Sequence, residues 1–254
     1  MRRRLPALPV PPVLAPLLVP TPAPAPLALG LTLLVALLAL LLAMLTTTPA
    51  ARAGTNDVAL ARPRQQFVAP APGSYRLEVI QTAANGQVLD TDGRSYPLQR
   101  YTAGKVTLLG FMYTYCVDPV GCPLAFQTFV ELRRRLLAQP ALARRVRFVS
   151  LSFDPTNDTP AAMRAYAGAL ADPRSALRWH FLTTRSVGAL RPIIDGFGQD
   201  VAVTLDPQGR PTRLYNHLLK IFLIDARGRV REIYTTSYLL PDVVFNDIQT
   251  LLRE

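Results

Sequence analysis

Residues 27–45, LALGLTLLVALLALLLAML, form an apolar run without a single charge. This run sets the N-terminal part of the chain apart from the residues that follow it. The run is long enough to cross a hydrocarbon core of about 30 Å. It has no polar face, so it does not suit the surface helix of a globular domain. Arg2, Arg3 and Arg4 precede it, and basic residues stay on the cytoplasmic side. We therefore expect the rest of the chain on the extracytoplasmic side of the cytoplasmic membrane, in the periplasm.

Two fates of this segment fit the sequence. Ala51 and Ala53 flank Arg52 just before Gly54, in the small-x-small pattern that signal peptidase cleaves. A cleaved signal and an uncleaved membrane anchor are thus both compatible with residues 1–53. Residues 54–73 are rich in Pro, Ala and Gly without periodicity, which predicts a linker. Residues 74–254 are predicted to form a single domain.

Charge and cysteine content exclude several classes of function. The formal net charge is +11, but the basic residues form no stripe interleaved with aromatic residues. We therefore expect no nucleic-acid partner. Two cysteines can build neither a disulfide-stapled miniprotein nor a zinc site made of cysteines alone.

The apolar periodicity of residues 74–254 predicts an α/β domain with a thioredoxin-like central sheet, flanking helices and an N-terminal β-hairpin. Residues 106–114 (VTLLGFMYT) are almost continuously apolar, which is typical of a central strand covered on both faces. Thr159 and Pro160 are predicted to cap and open a helix. The other predicted elements are a hairpin of residues 75–82 and 87–98 with its turn at Asp92-Gly93, helices at 123–138, 186–195 and 241–253, a strand at 146–153, and a hairpin of 217–225 with 230–234.

Cys116 and Cys122 lie between the central strand and the first long helix, where thioredoxin-like folds carry their redox cysteines. A helix N-terminus favours an anion, so the thiolate of Cys122 is expected to form more readily than that of a free thiol. An exported pair on one short loop is expected to form an intramolecular disulfide when oxidised. A plain structural disulfide is the alternative interpretation.

The chain has two histidines. His180 is flanked by Trp179 and Phe181, which favours a structural role. His217 comes just before a strongly apolar strand, on a loop expected to face the cysteines. Two thiolates and one imidazole suit copper, Cu(I) above all, and accept Cu(II) when a further ligand is added. Zinc accepts the same donors but needs a fourth ligand, which the sequence does not nominate.

Several strings together resemble the SCO/SenC copper proteins. They are residues 106–116, Cys122-Pro123, residues 150–155 and Asp158-Thr159-Pro160. The resemblance runs from about residue 73 to the C-terminus. It implies a membrane-anchored thioredoxin-like protein that binds one copper ion through Cys116, Cys122 and His217. It also implies a role in assembling the binuclear copper centre of cytochrome c oxidase. The expected partner is a copper-site subunit of a respiratory oxidase or another copper or redox client.

One departure concerns the loop between the cysteines. The family pattern is C-x3-C-P with an acidic residue inside, whereas this chain has C-x5-C-P with Asp118 inside. Asp118 and Asp154 are expected either to accept hydrogen bonds beside the site or to serve as turn and cap residues.

Two functions of different classes follow. The first is a copper-binding assembly factor that is not an enzyme, and the alternative is an exported thiol-disulfide oxidoreductase acting on client cysteines. Residues 218–221 contain no proline, whereas thioredoxin-type reductants carry one before this strand. That difference and the presence of His217 favour copper.

Overall fold

The computed structural model describes residues 68–254. The apolar run at residues 27–45, the candidate cleavage site and most of the predicted linker lie outside the described residues. Within residues 68–254, no helix combines the length and the hydropathy that a bilayer crossing requires. The division into residues 1–53, 54–73 and 74–254 stays a prediction.

Residues 68–254 form a six-stranded mixed sheet and two separate two-stranded hairpins. The strands are β1 (Gln81–Thr82), β2 (Gln87–Leu89), β3 (Ser95–Pro97), β4 (Val106–Met112), β5 (Val146–Ser152), β6 (Arg178–Leu182), β7 (Val201–Leu205), β8 (Pro211–His217), β9 (Ile221–Ile224) and β10 (Arg229–Tyr234). The sheet has the order β1-β10-β9-β4-β5-β6. Its strands β4, β5 and β6 are parallel, and β9 runs antiparallel to β4.

Helices cover the sheet, and the capping residues found in the sequence begin one of them. The helices are α1 (Gln99–Thr102), α2 (Gly121–Leu137), α3 (Pro140–Ala143), α4 (Pro160–Ala167), α5 (Val187–Phe197) and α6 (Pro241–Leu251). The Thr159 side chain accepts a hydrogen bond from the backbone N–H of Ala162, and Pro160 opens α4. The cap predicted at Thr159 is therefore confirmed.

The core lies on both faces of β4. Leu108 packs into one apolar cluster with Phe129 of α2, and Leu109 packs into the other with Phe197 of α5. Both leucines are fully buried, because successive side chains of a strand point to opposite faces. The central, doubly covered strand predicted at residues 106–114 is thus confirmed, and so is the thioredoxin-like α/β fold.

The predicted N-terminal β-hairpin is present with its turn at Asp92-Gly93, but the pairing expected for residues 75–82 is wrong. Residues 87–98 form a hairpin by themselves, β2 with β3, and Gly93 in its turn has φ +77°. The predicted partner strand, residues 75–82, reduces to β1 and joins β10 instead. The exposed edge of β10 offers backbone groups for pairing, whereas residues 87–98 already satisfy their own.

A second difference concerns the hairpin of β7 and β8, which the sequence did not predict. His217 ends β8 and pairs with Val201 of β7, so the expectation of a loop residue is wrong. Most residues of both strands are exposed, so they lack the apolar alternation by which a half-buried strand is found.

Candidate metal centre

The cysteines occupy the connection between the central strand and α2. Cys116 lies in the segment between Met112 and Gly121, and Cys122 lies in the first turn of α2. The two form a disulfide with their Cα atoms 6.6 Å apart, within the ordinary range. The intramolecular disulfide expected from the sequence is present. We call residues 113–122 the disulfide loop.

Asp118 holds the end of this loop on the helix. Its carboxylate accepts hydrogen bonds from the backbone N–H groups of Val120 at 2.9 Å and Gly121 at 3.1 Å. These are donors that a helix start leaves free. A Cβ atom at Gly121 would lie 2.6 Å from the Asp118 carboxylate, so a larger residue there would displace that carboxylate from its present position. Of the two roles expected for Asp118, the structure shows the capping role.

His217 is mostly buried at the end of β8. Its ring meets the ring of Phe153 edge to face, with the centroids 4.7 Å apart. Burial lowers the pKa of His217, and the Asp118 carboxylate opposes that shift. The imidazole is therefore neutral at neutral pH, which is the form that binds metals. Its buried Nδ1 atom has no hydrogen-bond partner among the described residues.

The three predicted ligands line one cleft. Cys116, Cys122 and His217 border a cavity of about 350 Å³ between α2 and the sheet. His180 is not part of its lining. Several aromatic side chains complete the wall: Phe111, Tyr113, Phe126, Phe129, Tyr166, Trp179 and Phe181.

In this disulfide-bonded state the described residues contain no cluster of three or more His, Cys, Asp or Glu side chains placed to hold a metal ion. Thiolates are the sulfur ligands of metals, so copper requires the disulfide to be reduced. The donor types then fit Cu(I), because it favours soft thiolate sulfur and accepts imidazole nitrogen.

A hydrogen-bonded network ties β8 to the residue before Cys116. The Tyr115 hydroxyl donates to the Asp154 carboxylate, which also accepts from Nδ2 of Asn157 at 2.7 Å. Burial acts to raise the pKa of Asp154, but these hydrogen bonds hold it below its usual value. The Arg213 guanidinium of β8 lies 4.6 Å from the centre of the Tyr115 ring and donates to Asn157 Oδ1 at 3.2 Å. Asp154 thus positions the disulfide loop against the strand that ends at His217.

Asp158 anchors the other side of the same loop. This fully buried carboxylate accepts hydrogen bonds from the backbone N–H of Thr114 at 3.0 Å, from the Thr114 hydroxyl at 2.5 Å and from the Ser152 hydroxyl at 2.6 Å. In the sequence Asp158 stood out as part of the Asp158-Thr159-Pro160 string, without a role of its own. Its role as an acceptor depends on contacts 44 positions apart, which sequence spacing does not reveal.

His180 lies elsewhere in the molecule. It belongs to β6, and its ring contacts the Tyr101 ring with the centroids 4.9 Å apart. Burial lowers the pKa of His180 to about 4, with a further contribution from neighbouring cations led by Arg147 and Arg178. Such surroundings do not attract a metal ion.

Comparison with known proteins identifies similar chains. The SCO1/SenC family profile matches residues 80–253. The SCO1 protein homolog of Bacillus subtilis (strain 168) is 26% identical over 160 residues, which cover 63% of this chain and 77% of that protein. Bradyrhizobium japonicum ScoI with copper bound is 25% identical with a TM-score of 0.52, over 66% of this chain and 97% of that chain. Apo Sco1 protein from Thermus thermophilus, 24% identical, has the same fold, with a TM-score of 0.56 over 72% of this chain and 98% of that chain.

Proposed function

Because the chain belongs to the SCO1/SenC family, we propose that it is a copper-binding assembly factor in which Cys116, Cys122 and His217 together hold one copper ion. The observation that carries the proposal is that all three side chains line one cleft. The unpartnered Nδ1 atom of His217 supports it as well, because a buried polar atom without a partner is costly unless it serves a ligand.

The disulfide separates a state that binds copper from one that does not. Two electrons and two protons convert the disulfide to two thiols, and the thiols lose their protons when they bind the metal. Asp118 keeps the helix start in place during this change, because its hydrogen bonds go to the backbone and not to sulfur. The family resemblance to copper-bound ScoI supports copper as the cargo.

The client is a copper centre of a respiratory oxidase, such as that of cytochrome c oxidase. The protein delivers copper to this centre or keeps its cysteines reduced. It works on the extracytoplasmic side of the membrane. Residues 1–53 either anchor it there or are cleaved off as a signal, which releases the domain.

A second candidate function is thiol-disulfide exchange, which the disulfide in the lining of the cleft favours. One cysteine thiolate attacks the client disulfide, and a mixed disulfide forms as one client thiolate leaves. The other cysteine then attacks the mixed disulfide, which releases the second client thiolate and restores the Cys116–Cys122 bond. The client gains two electrons and this protein loses two.

Copper loading of the full-length chain in nonionic detergent tests the two functions against each other. The disulfide is reduced without oxygen, the reductant is removed, a Cu(II) salt is added, and excess metal is removed by gel filtration. We expect one copper ion per chain, a sulfur-to-Cu(II) band in the visible spectrum, and loss of both in Cys116→Ser and in Cys122→Ser. A wild-type chain that retains no copper, yet reduces a client disulfide, would establish the exchange function instead.

A further inference from the structure

The amino ends of the three parallel strands carry a concentration of positive charge. The sheet register places Arg147 of β5 beside Thr107 of β4 and beside Arg178 of β6. Residues paired across neighbouring strands point to the same face, so both arginine side chains share one face. Lys105 directly precedes β4, and Arg100 lies in α1. We call Arg100, Lys105, Arg147 and Arg178 the cationic end.

No carboxylate neutralises this group among residues 68–254. The ion pairs of that region involve none of the four cations. The negative charge of Asp90 contributes to the raised pKa of Tyr101, which adjoins this group. Its carboxylate is committed to the β2–β3 turn, where it accepts hydrogen bonds from the backbone N–H groups of Asp92 and Arg94, each at 2.9 Å.

The cations of this group repel one another. Burial lowers the pKa of Lys105, and the charges of Arg147 and Arg178 lower it further. Burial likewise lowers the pKa of Arg147, with Arg100 acting in the same direction. Like charges held together in a partly buried site are unfavourable unless a counter-ion relieves them.

Backbone hydrogen bonds orient the two guanidinium groups and leave donors free. One nitrogen of Arg147, Nη1, donates to the carbonyls of Arg100 at 3.1 Å and Ala103 at 3.2 Å. Nη1 of Arg178 donates to the carbonyl of Pro173 at 3.0 Å. Their other N–H groups have no partner among the described residues. A guanidinium held in this way is preorganised for the paired oxygen atoms of a phosphate group.

We propose that the cationic end is a binding site for a phosphate-type oxyanion, taken up as free phosphate or as the headgroup of an anionic phospholipid. Guanidinium donors of Arg147 and Arg178 bind its oxygens, and the ammonium group of Lys105 adds a third positive charge. The site is independent of the copper function, because it lies at the amino ends of the strands while the disulfide loop follows their carboxyl ends.

Equilibrium dialysis of the full-length chain in nonionic detergent, with radiolabelled inorganic phosphate at low ionic strength, tests the site. We expect saturable binding that weakens about tenfold or more in the double variant Lys105→Gln/Arg178→Gln, since two charge-assisted contacts are lost. Arg147 is left intact because it also holds backbone carbonyls. The matched control Arg191→Gln/Arg210→Gln removes the same charge at exposed, ion-paired positions and should bind phosphate within about twofold of wild type.

A second arm distinguishes the source of the phosphate. Native mass spectrometry counts lipids retained from micelles doped with phosphatidylglycerol or with phosphatidylcholine. Retention of phosphatidylglycerol that falls in Lys105→Gln/Arg178→Gln, but not in the control variant, assigns a lipid headgroup. Phosphate binding without that difference assigns the free anion.

Two results would overturn the proposal. One is the absence of saturable phosphate binding together with equal lipid retention in all three proteins. The other is equal loss of binding in the test and control variants, which would mean net charge alone. Circular dichroism checks that each variant folds, and unchanged copper loading of the test variant keeps this result separate from the metal site.

Discussion

The two histidines of the described residues have opposite neighbours. His217, at the end of β8, shares a cleft with two sulfur atoms and lies near the Asp118 carboxylate. His180, in the middle of β6, has the arginines and the lysine of the cationic end around it. Burial lowers the pKa of both side chains.

The difference teaches that burial and protonation state do not identify a metal-binding histidine. Both imidazoles are neutral at neutral pH, so both have a lone pair to offer. A site with soft sulfur donors and a nearby carboxylate attracts a metal cation, whereas a ring of fixed cations repels it. The neighbours, and not the histidine, therefore favour the proposed copper site at one end and the proposed anion site at the other.

Substitution of His217, compared with substitution of His180, should give the largest effect. His217→Ala is expected to abolish stoichiometric Cu(II) binding, because it removes the only imidazole that lines the described cleft. His180→Gln is expected to leave the copper content near that of wild type. Copper is measured by atomic absorption after reduction and reconstitution. Equal copper contents in wild type and His217→Ala would contradict the ligand assignment.

Removal of the Asp158 carboxylate should give the largest loss of stability, because this group lies in a buried network near the carboxyl ends of the parallel strands. Asp158→Ala leaves the Thr114 and Ser152 donors without their acceptor, and we expect a loss of about 3 kcal/mol in the free energy of unfolding. Urea denaturation followed by circular dichroism measures it. Asp195→Ala is the control, because Asp195 forms only an exposed ion pair with Arg191, and it should change stability by less than about 1 kcal/mol. A loss below about 1 kcal/mol in Asp158→Ala, no larger than that of the control, would show that the buried network is dispensable.

Reduction of the disulfide should lower the free energy of unfolding by somewhat less than Asp158→Ala does. The bond joins cysteines that are six positions apart in sequence, and loop entropy for so short a closure corresponds to about 2 kcal/mol. Urea denaturation with and without a thiol reductant, in the absence of metal, measures the difference. The double variant Cys116→Ser/Cys122→Ser should not respond to the reductant. A response in that variant would place the effect outside the disulfide loop.

The smallest expected effect is a loss of stability at low pH that is caused by His180. The pKa of folded His180 is about 4, below the model-compound value of 6.5. The unfolded chain therefore takes up a proton first as the pH falls. The stability contributed by neutral His180 is complete above pH 6.5 and is lost progressively as the pH falls from 6.5 to about 4.

We expect a loss on the order of 1 kcal/mol in this window, because the ring is partly exposed. Denaturation at a series of pH values should show a shallower decline for His180→Gln than for wild type. Parallel curves for the two proteins would mean that burial and the neighbouring cations do not lower the pKa of His180 in solution.

Local signals in the sequence were sufficient for much of the fold. The apolar run of β4 predicts its own burial, and Thr159-Pro160 predicts where α4 begins, because strand periodicity and helix capping involve neighbouring residues. The β7–β8 hairpin carries neither signal, and the partner of residues 75–82 depends on the edge that β10 leaves open. Strand pairing between distant segments is decided by the assembled sheet.

The amino-acid sequence by itself determined the thioredoxin-like class, the disulfide between Cys116 and Cys122, and the three side chains that are our candidates for binding copper. These follow from residue types and spacings along the chain. Only the tertiary structure decided that Tyr115, Asp154 and Arg213 brace the disulfide loop against β8. It also decided that cations from β5, from β6, from α1 and from the residue before β4 meet around His180. Such groupings join residues that are tens of positions apart in the sequence. The sheet register brings them together through backbone hydrogen bonds, which cannot be inferred from the order of the side chains.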